Sequence, residues 1–111
     1  MKVEQGDIVL LPYPFSNLKG RKVRPALVVS NDLFNKKSDD CVMVPLTTVI
    51  KEEFYSVLIE QSDLSFGKLL KSSRVRLDKV FCVEKNLIVV KIGKLKDELF
   101  EKIKREIFEI F

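Results

Sequence analysis

A chain of 111 residues, 46% hydrophobic and 32% charged with a net charge of +4, has the size and composition of one folded domain spanning 1–111. It has no histidine, and its two cysteines form no CxxC pair, which excludes imidazole acid–base chemistry and a serine–histidine triad and argues against a zinc site. Its N-terminal apolar run, MKVEQGDIVLLPYPF, is too short for a membrane span and lacks the order of a signal peptide, so a cytoplasmic protein with no membrane partner is expected.

In chain order, short apolar and β-branched runs alternate with polar punctuation. Asp7–Leu11 predicts a strand that ends in PYPFSNLKG, where Pro12 and Pro14 stop a ladder from continuing. Pro25–Ser30 predicts a second strand, with Asn31-Asp32 as a turn or short helix start. Cys41–Leu46, Tyr55–Ile59, Gly67–Leu70, Arg74–Val80 and Leu87–Ile92 predict the rest. Strands at this density, without helical periodicity between them, predict a small antiparallel barrel or sandwich. Cys41 and Cys82 each lie inside an apolar run and read as buried free thiols.

The period then changes. In LKDELFEKIKREIFEIF, Leu99, Ile103, Ile107 and Ile110 recur every three or four residues, and Phe100, Phe108 and Phe111 widen the stripe into that of an amphipathic helix. Asp97 and Glu98 suit the positive end of its dipole, and Glu98–Lys102 and Glu101–Arg105 are i,i+4 pairs. The stripe packs on the core, or leaves part of its width for a dimer contact.

Cations cluster at Lys19–Arg24 and again at Lys68–Lys79, which favours an anionic partner. Arg24 precedes Pro25 and is therefore held extended. Either it pairs with a carboxylate, or it is an anion clamp whose planar fork holds a phosphate. Thr47 and Thr48 place two hydroxyls at a strand end, as turn hydrogen-bonders or as phosphate contacts. Ser72 and Ser73 stand between Lys71 and Arg74, and Arg74 and Arg76 share a face if that segment is a strand. Lys19, Arg21 and Lys22 surround Gly20 in the first loop, where they serve phosphates or simply solvate a hairpin tip. Tyr13, Phe15 and Phe66 are either base-stacking platforms or core. Together the cations and hydroxyls are what binding and splitting an RNA phosphodiester requires: charge for a pentavalent phosphorane and donors to orient it.

The pieces GDIVLLPYPF, RPALVVSND, VPLTT and RVRLDKV…KIGKL stand in the order, and at about the spacing, of the MazF/PemK family of toxin–antitoxin toxins. The chain resembles that family from Gly6 to its last helix. The resemblance implies a mainly β, SH3-like antiparallel barrel with a C-terminal α-helix, working as a homodimer. It implies a metal-independent, cofactor-free endoribonuclease that cuts single-stranded RNA, often mRNA, at short motifs. In that reaction the ribose 2′-hydroxyl attacks the neighbouring phosphate and leaves a 2′,3′-cyclic phosphate and a 5′-hydroxyl. The partner it implies is a cognate antitoxin whose acidic, partly disordered tail crosses the RNA groove.

By the same resemblance the catalytic arginine falls on Arg24 and the catalytic hydroxyl on Thr47, with Thr48 beside it. The resemblance places the RNA-covering loop on Lys19, Arg21 and Lys22 beside Thr48, and from the residues themselves Lys71, Ser72, Ser73, Arg74 and Arg76 are expected to extend that RNA track. Some relatives carry an aspartate soon after the glycine of the fifth strand and a histidine in the first loop. Here the stretch after Gly67 reads KLLKSSRVRLD, with no aspartate before a structural Asp78, so the proton acceptor has no assignment. Two other readings therefore stand beside the ribonuclease: a relative that only binds RNA or antitoxin, and a CcdB-like gyrase poison that acts through its terminal helix.

Overall fold

A computed structural model describes residues 2–13, 22–49, 51 and 54–111. Eight strands form one curled antiparallel sheet: β1 (Asp7–Pro12), β2 (Val23–Val28), β3 (Asp40–Thr47), β4 (Ser56–Ile59), β5 (Leu64–Gly67), β6 (Ser73–Arg76), β7 (Phe81–Glu84) and β8 (Val90–Leu95). The order is β4-β6-β3-β2-β1-β8-β5, with β7 added to β3. The path ends at β4 and β5 with no ladder between them, so the sheet curls into an open barrel.

The long strand β3 organises that curl. Asp40–Met43 pair with β7, while Leu46 and Thr47 pair with β6, so two strands share one edge end to end. Along the other edge, Met43–Pro45 pair with β2.

Both faces of the central strands are covered, which is why they read as unbroken apolar runs. Ile8, Leu27, Val44 and Leu46 join a core with Phe100, Ile103 and Ile107. Their neighbours Val9, Leu11, Ala26, Val28, Cys41 and Met43 point the other way, into a second cluster with Val83 and Ile88. The helix α1 (Asp32–Lys37) is a single short segment, capped where the Asn31 side chain accepts the Phe34 N–H at 2.8 Å. The helix α2 (Asp97–Phe108) buries Phe100, Ile103 and Ile107, with Leu99 and Ile110 half-buried against the same core. Each fully buried side chain of this size contributes about 1.5–3 kcal/mol.

Several expectations need correction. The fifth strand lies at Leu64–Gly67 rather than Gly67–Leu70. Gly67 ends it with φ +91°, and a Cβ there would stand 2.2 Å from the Ile92 carbonyl oxygen, so β5 closes on β8 only through a glycine. The run Arg74–Val80 is strand only as far as Arg76, the end of β6, because Leu77 and Asp78 form a turn and Asp78 clamps Arg76 across it. Tyr55 has φ 58° and lies outside β4, since a left-handed residue cannot continue an extended strand.

Leu87 belongs to a 3₁₀ turn, Lys85–Leu87, and β8 begins only at Val90. Cys41 is buried, and burial pushes its thiol up to about 11. Cys82 is exposed, because it pairs with Val42 on the opposite face of the β3–β7 ladder. On α2, Glu101 meets Lys104 at 3.8 Å instead of Arg105. No helix among the described residues is long and apolar enough to cross a membrane.

Candidate active site

Arg24 and Thr47 come together through strand register. The β2–β3 ladder pairs Leu27 with Val44 and Ala26 with Pro45, and continuing that register sets Pro25 opposite Leu46 and Arg24 opposite Thr47. Thr47 in turn faces Arg74 across the β3–β6 ladder. Directly opposed residues share a face, so Arg24, Thr47 and Arg74 make a row across three strands.

Below that row is a pocket of about 280 Å³, lined by Tyr13, Arg24, Pro45, Leu46, Thr47, Arg76 and Lys79. Arg24 is exposed, and its side chain makes no ion pair or hydrogen bond among the described residues. Thr47 Oγ1 accepts the Val49 N–H at 3.2 Å, which leaves its own proton to donate.

Tyr13 floors the pocket. Its hydroxyl donates to the Pro25 carbonyl oxygen, and its ring tilts against Phe81 with centroids 5.5 Å apart. Burial pushes the phenol up to about 12, against the opposing pull of a Leu46 backbone hydrogen bond and the Arg24 charge. Arg76 reaches the rim and holds Asp78 in a two-bond fork, 3.1 and 2.9 Å long. Hydrogen bonding from Arg76 holds the Asp78 carboxyl below the usual carboxylate range. Asp78 is thus structural, as its sequence position suggests. Among the described residues the pocket is lined by cations and hydroxyls, with no carboxylate or imidazole.

The remaining candidates lie elsewhere. Successive strand residues point to opposite faces. Pro25 and Thr48 therefore line a second groove of about 660 Å³ together with Lys71, Ser73, Leu70 and Ile92. Ser73 is 2% exposed and donates its hydroxyl to the Lys71 carbonyl at 3.0 Å, which makes it a turn clamp rather than a surface contact. Ser72 and Lys22 are exposed. Arg74 donates from Nη1 to Ser56 Oγ at 3.2 Å, while its buried Nε has no hydrogen-bond partner among the described residues. Phe66 is 52% exposed and Tyr13 half-buried. Lys19, Arg21 and Phe15 lie outside the described residues. Lys79 is a pocket cation not among the sequence's candidate site residues, although it lies in the quoted piece RVRLDKV and ends the Lys68–Lys79 cluster.

Residues 4–111 match the family model of the PemK-like, MazF-like toxin of type II toxin–antitoxin systems. The chain belongs to this family of toxins. The toxin is 28% identical over 106 residues to endoribonuclease EndoA of Bacillus subtilis (strain 168), covering 93% of this chain and 89% of that protein. In fold it is similar to MazF of Deinococcus radiodurans, with a TM-score of 0.78 at 17% identity, over 99% of this chain and 96% of the other. It is also similar to a mycobacterial endoribonuclease solved in complex with its cognate antitoxin, with a TM-score of 0.74 at 20% identity, over 97% and 91% of the two chains. The open barrel with a terminal helix is thus the toxin fold expected from the sequence.

Proposed function

We infer that this toxin is a metal-independent endoribonuclease that cuts single-stranded RNA by attack of the ribose 2′-hydroxyl on the adjacent phosphate. The observation that carries this reading is that Arg24 and Thr47, two positions past the last pair of the β2–β3 ladder, line one cationic pocket.

The chemistry follows from the donors. The bond from O2′ to phosphorus forms as the bond to O5′ breaks, giving a 2′,3′-cyclic phosphate and a 5′-hydroxyl end. Negative charge grows on the non-bridging oxygens during that exchange. The Arg24 guanidinium, which stays protonated, stabilises that charge and hydrogen-bonds the leaving O5′, which takes its proton from water. Thr47 donates its hydroxyl to a phosphate oxygen and orients it, and is no nucleophile because RNA brings its own. Arg74, Arg76 and Lys79 continue the positive track for flanking phosphates.

The 2′-hydroxyl proton leaves to a group that the pocket's described lining does not include. That observation favours a second reading, a relative that binds RNA without cutting it. The same track suits a cognate antitoxin with an acidic tail. Phe108 and Phe111, 65% and 88% exposed on or beside α2, suit a homodimer contact. The site of action is the cytoplasm, where such RNA is found.

The deciding experiment incubates the toxin with a long single-stranded RNA in EDTA, beside Arg24→Ala. Discrete cuts bearing 2′,3′-cyclic phosphates are expected, with the variant slower by about 10²–10³-fold. Because Arg24 is exposed, its removal should change stability by no more than about 0.5 kcal/mol. Salt-dependent RNA binding without any cuts would establish the binding-only reading.

A further inference from the structure

Tyr13 stands where the β2–β3 seam is chemically weakest. Pro25 and Pro45 both lie in this stretch, and neither has an N–H to give to a ladder. Continuing the register past Ala26 and Pro45 would set Pro25 against Leu46, where only the Leu46 amide has an N–H to give. Past Ala26 and Pro45 the ladder stops, one pair short of that position and two short of Arg24 and Thr47.

The Tyr13 hydroxyl supplies what the prolines cannot. It donates to the Pro25 carbonyl, one residue after Arg24. The Leu46 backbone, one residue before Thr47, also hydrogen-bonds the Tyr13 hydroxyl and opposes the effect of burial on it. Its ring is held in turn by Phe81 and by the second core cluster. A single side chain from the end of β1 thus ties both strands together next to the residues that must cooperate.

We propose that Tyr13 is a positioning residue for RNA cleavage: its hydroxyl, joined to the Pro25 carbonyl and the Leu46 backbone, fixes the spacing of the Arg24 guanidinium and the Thr47 hydroxyl. The proposal rests on the ribonuclease reading above. Tyr13 need not touch the phosphate. Its phenol titrates near 12, so it remains a proton donor at any pH where RNA is assayed. Displacing a catalytic group by about 1 Å can cost on the order of 10²-fold in rate, so a spacer of this kind acts on turnover.

Tyr13→Phe removes the hydroxyl and keeps the ring. Single-turnover cleavage of a long single-stranded RNA in EDTA is measured over a range of enzyme concentrations, well below each protein's melting temperature. A saturating rate lowered at least tenfold is expected, with the half-saturating concentration within twofold of wild type. Unchanged saturating rates would overturn the proposal. So would a loss that disappears on cooling, since that is the signature of a purely structural bond. If Tyr13→Phe does not fold, Phe81→Leu tests the same idea by loosening the ring that aims the hydroxyl: it should lower the saturating rate several-fold, and a wild-type rate would overturn the proposal. The underlying reading fails in a different way, with the wild-type protein leaving every RNA intact.

Discussion

Arg76 is half-engaged: it lines the pocket and at the same time forks onto Asp78, with side-chain exposures of 24% and 35% for the two partners. An ion pair this open contributes less than about 1 kcal/mol to stability, so its main effect is on where the guanidinium points. Asp78→Asn should release Arg76 toward bound phosphate. In an Arg24→Ala background, which cuts slowly, RNA binding should then tighten, and the slope of log affinity against log salt should steepen by about 0.7. An unchanged slope would remove Arg76 from the RNA track. Acid has the same effect, with a definite sign: the fork is intact while Asp78 is ionised and is lost as pH falls through its lowered value, below the ordinary carboxylate range.

Among the elements, α2 closes the barrel with one face and leaves the other open. Ile103 is 0% exposed at the centre of the contact, whereas Phe108 is 65% exposed one turn further on. Ile103→Ala should destabilise by roughly 2–4 kcal/mol in urea unfolding, as deletion of a buried branched side chain leaves a cavity. Phe108→Ser should stay within about 0.5 kcal/mol for the monomer. If Phe108→Ser instead makes stability depend on protein concentration differently from wild type, that phenylalanine lies in a contact between copies. A cost for Phe108 as large as that for Ile103, independent of concentration, would mean the helix is seated differently.

The whole molecule is fastened at its N-terminal end by a buried ion pair. Asp7 is 0% exposed, accepts the Glu4 N–H at 2.8 Å and meets Lys91 Nζ at 2.9 Å, which ties β1 and the preceding turn to β8. Its second oxygen, Oδ1, is buried without a hydrogen-bond partner among the described residues, so the lysine carries most of the compensation for that charge. Lys91→Met should cost about 3 kcal/mol, the lower end for a broken buried pair, because Lys91 itself retains 24% exposure. The denaturation midpoint would report it. A loss under about 1 kcal/mol would mean that water reaches Asp7 once the lysine is gone.

The C-terminal helix was legible in the chain because its period of three or four residues is a local property. The first three strands were legible for a related reason: with both faces buried, they must be apolar throughout, and GDIVLLP, PALVVS and CVMVPL stand out against their surroundings. The order of RP and VPLTT was enough to nominate Arg24 and Thr47. What could not be read was anything that depends on which strand lies beside which. Short strands such as β5 and β7 carry one buried residue in four, so Leu64–Gly67 and Phe81–Glu84 have no pattern to detect. Thr47 and Thr48 look alike in the chain, yet one faces Arg24 and the other a separate groove, because a single step along a strand reverses the face. Ser73 and Arg74 looked equally available, but the neighbours that engage their donors, Lys71 and Ser56, are set by the turn before β6 and by the β4–β6 ladder. Tyr13 read as a stacking platform or a core residue, and only the seam between β2 and β3 reveals what its hydroxyl holds. Periodicity and residue type are written along the chain and decide which segments are buried. Cross-strand register joins residues far apart in sequence through backbone hydrogen bonds that every residue type but proline can make, so it is settled only when the sheet closes.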